Sequence, residues 1–235
     1  MSPPQRNPGR RQRYMLMRER GRAHGQTGVR SNTLGDLGPR GMDGVVDACH
    51  AVTEAVRARH PGPPVFVLGH SWGSFILQRY LRLWGGEIDG AIFTGTTSFD
   101  PALVHTPEFN AAFVPVRTPY DWLSRDPDEV DRYIADPLCG FELMTATGTA
   151  LDITPLLAGD DRDIPATLPI AIFNGSVDPV GGAAGGERLA EQYREAGVRD
   201  VTLHLYPEAR HELFNETNRD EVTADVLAWL AAHTN

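Results

Sequence analysis

Cysteine is scarce in this sequence: Cys49 and Cys139 are the only two. Two cannot form a disulfide framework, and the expected state is two unpaired thiols in a reducing cytoplasm. Long apolar runs are missing as well. No stretch approaches the roughly 20 apolar residues that a membrane span requires, so no integral membrane segment is expected. The start, MSPPQRNPGRRQRYMLMRER, is basic but precedes no apolar run, which excludes a secretory signal. Its arginines faintly resemble those of a transit peptide, and a frayed or misannotated terminus is the preferred reading. An excess of positive charge is lacking, since the net charge is -9. That argues against nucleic acid as a partner, although it leaves room for a local basic patch. The sequence shows neither an internal repeat nor a low-complexity tract. It has no G-x-G-x-x-G or Walker-type loop, no His pair at helical spacing and no close Cys pair, so neither a phosphate cradle nor a metal site is expected.

What is present is an ordinary globular composition in 235 residues, enough for one domain with an inserted lid. Residues 1–12 read as disordered and Arg13–Arg20 (RYMLMRER) as a short strand. The Gly-rich stretch 21–41 reads as a long loop. Met42–His60 has Val45, Val46, Cys49, Val52 and Val56 at helical spacing, and PGPP ends it. Val65–Leu68 is a continuous apolar run, as expected for a central parallel strand covered on both faces. A helix over Ser74–Trp84 follows, then a buried strand over Asp89–Thr96. Further on come a strand over Leu168–Gly175, a helix over Gly186–Gly197, an alternating strand closer to an edge over Val201–Pro207, and a last helix over Asp220–His233. This rhythm predicts an α/β fold, a mostly parallel sheet with helices on both faces. Residues 98–155, with seven prolines and several aromatics, break the rhythm and read as an insertion over one end of the sheet. The domain reading is therefore a core of 1–97 and 156–235 with a cap of 98–155.

The chemistry centres on VFVLGHSWGSF. Gly69-His70-Ser71-Trp72-Gly73 matches G-x-S-x-G between strand and helix, the nucleophile elbow. Chance would place that pattern about 0.07 times in a chain of this composition, so the flanking strand and helix carry much of the argument. A Gly-rich turn with a capping Ser is the plainer alternative. The glycines are expected where backbone passes close by. A serine hydroxyl needs a base, and the base needs an orienting acid; in this order of elements both come from loops after later strands. Asp178 follows the strand ending at Gly175, and His211 follows the strand ending near Pro207. Asp178 also reads as a plain turn residue before Pro179, and His211 as a surface histidine. His70 lacks the reach to serve its neighbour. His24, His50, His60, His105 and His233 have no acid partner that the sequence places, and His204 reads as a packed or solvent-facing strand residue. The triad requires no cofactor.

With GHSWGS, RTPYDWLSRDPDEVDRYIADPLCGF, NGSVDPVGG and LYPEARHELFNETNRDEV, the chain resembles the α/β-hydrolases. More narrowly it is similar to the bacterial lysophospholipase and monoacylglycerol-lipase-like group, also described as serine-aminopeptidase-like hydrolases. The resemblance covers about residues 35–235. It implies Ser71 as nucleophile, Asp178 as acid, His211 as base, the Trp72 N–H as an oxyanion donor, and a cap over an acyl pocket. Substrate-binding residues on this reading are Trp72, Leu138, Phe141 and Val180, with Phe109, Phe113 and Trp122 also in the cap. The implied substrate is a small acyl ester, a monoacylglycerol or a lysophospholipid; transient contact with a lipid surface and self-association are compatible with it. Two departures stand out. Trp72 replaces the usual Met after the nucleophile. The loop that supplies a second oxyanion donor is missing, because His24-Gly25 resembles a later Arg-Gly-His-Gly turn. On this resemblance the chain is expected to begin near the family's fourth strand, with Arg13–Arg20 as its remnant. Loss of one donor typically costs about 3 kcal/mol in the barrier. A truncated gene model, a degenerate paralogue or a partner covering the sheet each fits, so a weakly active binding protein stands as the alternative to an enzyme. Amide or thioester cleavage by the same triad is a further alternative.

Overall fold

The computed structural model describes residues 23–99, 109–140 and 152–234. The strand expected over Arg13–Arg20, the disorder expected over 1–12, and Phe141 and His105 lie outside these residues. Eleven regular elements follow in chain order: α1 (Gly25–Ser31), α2 (Gly41–Arg59), β1 (Phe66–His70), α3 (Trp72–Trp84), β2 (Gly90–Thr94), α4 (Pro127–Ala135), α5 (Thr154–Leu157), β3 (Ile170–Gly175), α6 (Gly182–Glu195), β4 (Val201–Tyr206) and α7 (Arg219–His233).

The four strands form one parallel sheet in the order β1-β2-β3-β4. Side chains alternate across a pleated strand, and the two faces are separately covered. On one face Ala91, Phe93, Ile170 and Ile172 pack with Leu77, Tyr80 and Leu81 of α3 and Leu189, Ala190 and Tyr193 of α6. On the other, Ile92, Ala171 and Phe173 pack with Val222, Val226 and Trp229 of α7. Every residue of β2 and β3 is buried. Each large side chain so removed from water stabilises the fold by about 1.5–3 kcal/mol before entropy is counted. The expected α/β fold, with a parallel sheet and helices on both faces, is present.

Two expectations about elements need correction. First, β1 is not a central strand among the described residues. It pairs only with β2, and Leu68 is 42% exposed. An apolar run reports affinity for a sheet interior but not which neighbours flank it. Second, the stretch 21–41 is not a continuous loop, because α1 lies within it. Its glycines serve packing: a Cβ on Gly28 would come within 3.1 Å of the Ala23 carbonyl and of Leu34 Cα. Asn32, in the left-handed region at φ 51°, closes the helix with its N–H on the Gly28 and Val29 carbonyls. The helix expected over Met42–His60 is present as α2; its buried stripe includes Met42 and Thr53 beside Val46, and the Thr53 hydroxyl donates to the Cys49 carbonyl. The β4 strand sits at the opposite edge, as its alternating pattern predicted. No disulfide joins Cys49 and Cys139. Among the described residues no helix is long and apolar enough to cross a membrane.

Candidate active site

Ser71 occupies the corner between β1 and α3 at φ 51° and ψ -120°. A non-glycine residue in the left-handed region is strained, and such strain persists only where surrounding structure enforces it. Here the Ser71 N–H donates to the Thr94 carbonyl at the end of β2, while the Ser71 carbonyl accepts from the Ser74 N–H and hydroxyl. Gly69 permits the corner: a Cβ there would lie 2.5 Å from the Gly73 carbonyl oxygen. The same steric argument fails for Gly73, where an added Cβ meets nothing within 4 Å. As the first residue of α3, Trp72 has an N–H with no acceptor inside the helix, at the positive end of the helix dipole.

The candidate acid and base, Asp178 and His211, arrive from the carboxyl ends of β3 and β4. Asp178 follows β3 by a tight turn and is 4% exposed; His211 follows β4 and is 2% exposed. Nδ1 of His211 lies 3.1 Å from Oδ1 and 3.0 Å from Oδ2 of Asp178. Oδ1 also accepts the Val180 N–H at 2.8 Å, so the turn that carries the carboxylate also aims it. A close approach builds the loop junction. A Cβ on Gly175 would sit 2.2 Å from the carbonyl oxygens of Ala209 and Arg210, so β3 meets the histidine loop backbone to backbone.

His70 faces the same centre. Its Nδ1 bonds the Thr94 hydroxyl at 3.0 Å, and its ring lies 4.8 Å from that of His211. Desolvation and the neighbouring His211 push its imidazole down to about 3, so it is neutral at ordinary pH. Gly95, at φ 55°, lies beneath both rings; a Cβ there would meet His211 Cε1 at 2.8 Å and His70 Cε1 at 2.9 Å. Ser71 and His211 thereby reach the same end of the sheet. The Ser71 hydroxyl makes no hydrogen bond among the described residues.

The other residues singled out from sequence fall in different places. The Trp72 side chain packs against the cluster of Ala23, Leu37, Met42, Val46, Ile76 and Leu156. Leu138 is half-buried in the turn after α4, its N–H on the Asp136 carboxylate. Val180 contributes its N–H to Asp178. Trp122 lies with its ring tilted 4.9 Å from that of His211 and 4.5 Å from that of Phe109. Phe113 lies under the Arg210 guanidinium. Histidines expected to lack acid partners have them: His50 bonds Glu87 at 2.7 Å and His233 bonds Asp200 at 3.1 Å, both by contacts between distant segments.

Sequence reasoning missed the buried carboxylate of Glu216, which is 0% exposed. It accepts from the N–H groups of Arg210, Arg125 and Thr217 and from the Arg125 side chain at 2.8 Å. Burial would push its carboxyl up; the N–H donors and the Arg125 guanidinium outweigh burial and hold it below the usual range. The histidine loop is thus tied to residues 121–125 of the β2–β3 connection. Arg210 Nη1 donates to the Asp121 and Ser124 carbonyls, the Ser124 hydroxyl to the Asn215 carbonyl, and the Glu212 N–H to the Leu123 carbonyl at 2.8 Å. The only signal in the sequence was a pair of acid- and arginine-rich stretches far apart.

A serine on a strained strand-to-helix corner, with a His–Asp pair on the next loops of a parallel sheet, defines an α/β-hydrolase. The chain belongs to the family described as serine aminopeptidase, S33, whose model matches residues 20–218. It is 29% identical over 226 residues to a monoacylglycerol lipase of Mycolicibacterium smegmatis, covering 90% of this chain and 76% of that one. It is 28% identical over 200 residues to a human monoglyceride lipase, covering 77% of this chain and 63% of that one, so it spans less than two thirds of the human relative. Among solved structures, a thermostable carboxyl esterase from Bacillus coagulans matches with a TM-score of 0.78 at 24% identity, over 91% of this chain and 79% of that one.

Proposed function

We propose that Ser71, His211 and Asp178 act as a catalytic triad that hydrolyses carboxylic esters through an acyl-enzyme. His211 takes the Ser71 proton as the oxygen attacks the ester carbonyl. Asp178 fixes the imidazole tautomer and stabilises the imidazolium. The Trp72 N–H holds part of the charge on the tetrahedral oxygen. His211 then protonates the departing alcohol, and water releases the acid by the reverse roles. The observation that carries this reading is the double contact between the buried Asp178 carboxylate and His211 Nδ1, at the end of the sheet where the strained Ser71 sits.

Residues 98–155 serve as the cap on this reading, and the substrate is a monoacylglycerol, a lysophospholipid or a small acyl ester. The lipase and esterase names of the relatives support that class. The compartment is the cytoplasm, and acylglycerol substrates imply transient contact with a lipid surface.

A fluorophosphonate probe tests the assignment. The native chain is expected to label and Ser71→Ala to remain unlabelled while keeping the native circular dichroism. p-Nitrophenyl esters are expected to turn over faster than aminoacyl anilides. Labelling that persists in Ser71→Ala overturns the nucleophile, and folded native protein that does not label favours a binding role.

A further inference from the structure

We infer that Trp122 is a positioning residue for the base: its indole face holds the His211 imidazole and stabilises the imidazolium formed during proton transfer. The inference rests on His211 being the base, but its geometry is independent of the substrate. The two ring centroids are 4.9 Å apart with planes at 44°. A cation within about 6 Å of an aromatic centroid is attracted by the electron-rich face, most strongly by Trp. The His70 ring also lies 4.8 Å from the imidazole, and it is neutral and so does not repel the cation.

The placement of Trp122 is built by the chain. Its carbonyl accepts from the His211 N–H at 3.4 Å, and the next carbonyl, of Leu123, accepts from Glu212. Phe109 packs against the indole at 4.5 Å, its ring tilted by 31°. The groups that face the imidazole are therefore Asp178 from the loop after β3, His70 from β1, and Trp122 from the β2–β3 connection. Its own loop adds Arg210, whose guanidinium is held by the Asp121 and Ser124 carbonyls, and Glu212, which bonds Asn215. From the connection, Asp121 is occupied by the N–H groups of Arg117 and Thr118 and by the Thr118 hydroxyl. None of these is altered directly by changing Trp122.

The interaction is stronger in the transition state than in the resting enzyme, because only then does the ring bear a full charge. It therefore acts on kcat more than on KM. An ordinary acyl-pocket wall would do the reverse.

The test is an NMR pH titration of the His211 ring in the full chain, for the native protein, Trp122→Phe and Trp122→Leu. It needs no turnover, so it remains readable if esterase activity is absent. Removing the aromatic face is expected to lower the His211 midpoint by about half a pH unit in Trp122→Leu, with Trp122→Phe near native. The acid limb of kcat/KM should move to lower pH with it, and kcat should fall about three- to ten-fold at constant KM. Should Trp122→Leu not fold, uniform incorporation of difluorotryptophan weakens the ring face without changing its shape and is expected to lower the midpoint in the same direction. An unchanged or raised midpoint in the Leu or fluorinated protein overturns the inference, as does a loss confined to KM.

Discussion

At the residue scale, two glycines of one motif have different duties. Gly69 has the backbone of Gly73 and Ser74 within 3 Å of where a Cβ would stand, whereas Gly73 has open space. Gly69→Ala is therefore expected to destabilise the fold by about 1–3 kcal/mol, as overpacking against rigid backbone does. Gly73→Ala should leave stability unchanged or raise it by up to about 1 kcal/mol, because Ala is the better helix former. Urea melts of the two variants check the contrast; equal losses would contradict it. The elbow itself was legible because all its determinants lie within five residues. Asp178 and His211 were legible because each follows a strand whose pattern is plain. The Trp122–His211 contact was not, since 89 positions separate the two residues and no local pattern pairs them.

At the element scale, the histidine loop and residues 121–125 behave as one unit whose junction is Glu216. Replacing it with Gln leaves the Arg125 guanidinium with a neutral partner, and a loss of about 2–3 kcal/mol is expected. The sign with pH follows from the lowered carboxyl. A group whose folded value is depressed contributes stability above its unfolded value, near pH 4.3 for an ordinary Glu, and loses it as pH falls through the folded value. The gap between native protein and Glu216→Gln should accordingly be full at neutral pH and shrink below about pH 4, as measured by thermal unfolding. A gap that widens on acidification would contradict this assignment. Helix α1 shows a different limit of sequence reading. Glycine is a poor helix former in water, yet Gly28 is retained in this helix because a bulkier residue would strike Ala23 and Leu34. The clue that was available is Asn32, a residue that tolerates the left-handed close of a helix.

At the scale of the whole molecule, the four-stranded sheet is unequal from side to side. β2 and β3 are buried throughout, while β1 has one strand neighbour and an exposed Leu68 among the described residues. Backbone amides of β2 and β3 should exchange with deuterium at the slow, global rate, and those of Phe66–Leu68 faster. Equal protection across the sheet would mean that β1 is covered. Layer order was legible from strand–helix alternation, whereas the flank of β1 was not, because an apolar run looks the same in the middle of a sheet and at its border.

The strand between β1 and β3 brings no reacting atom of its own. Its last residue nevertheless anchors Ser71 through its carbonyl and His70 through its hydroxyl, and the bare Gly95 leaves both imidazoles room to lie down. β2 is thus the ruler of the molecule. It sets the serine-bearing strand and the aspartate-bearing one two strand spacings apart, about 9.6 Å. Anyone grafting the proposed chemistry onto another scaffold would have to transplant the silent middle strand along with Ser71, Asp178 and His211.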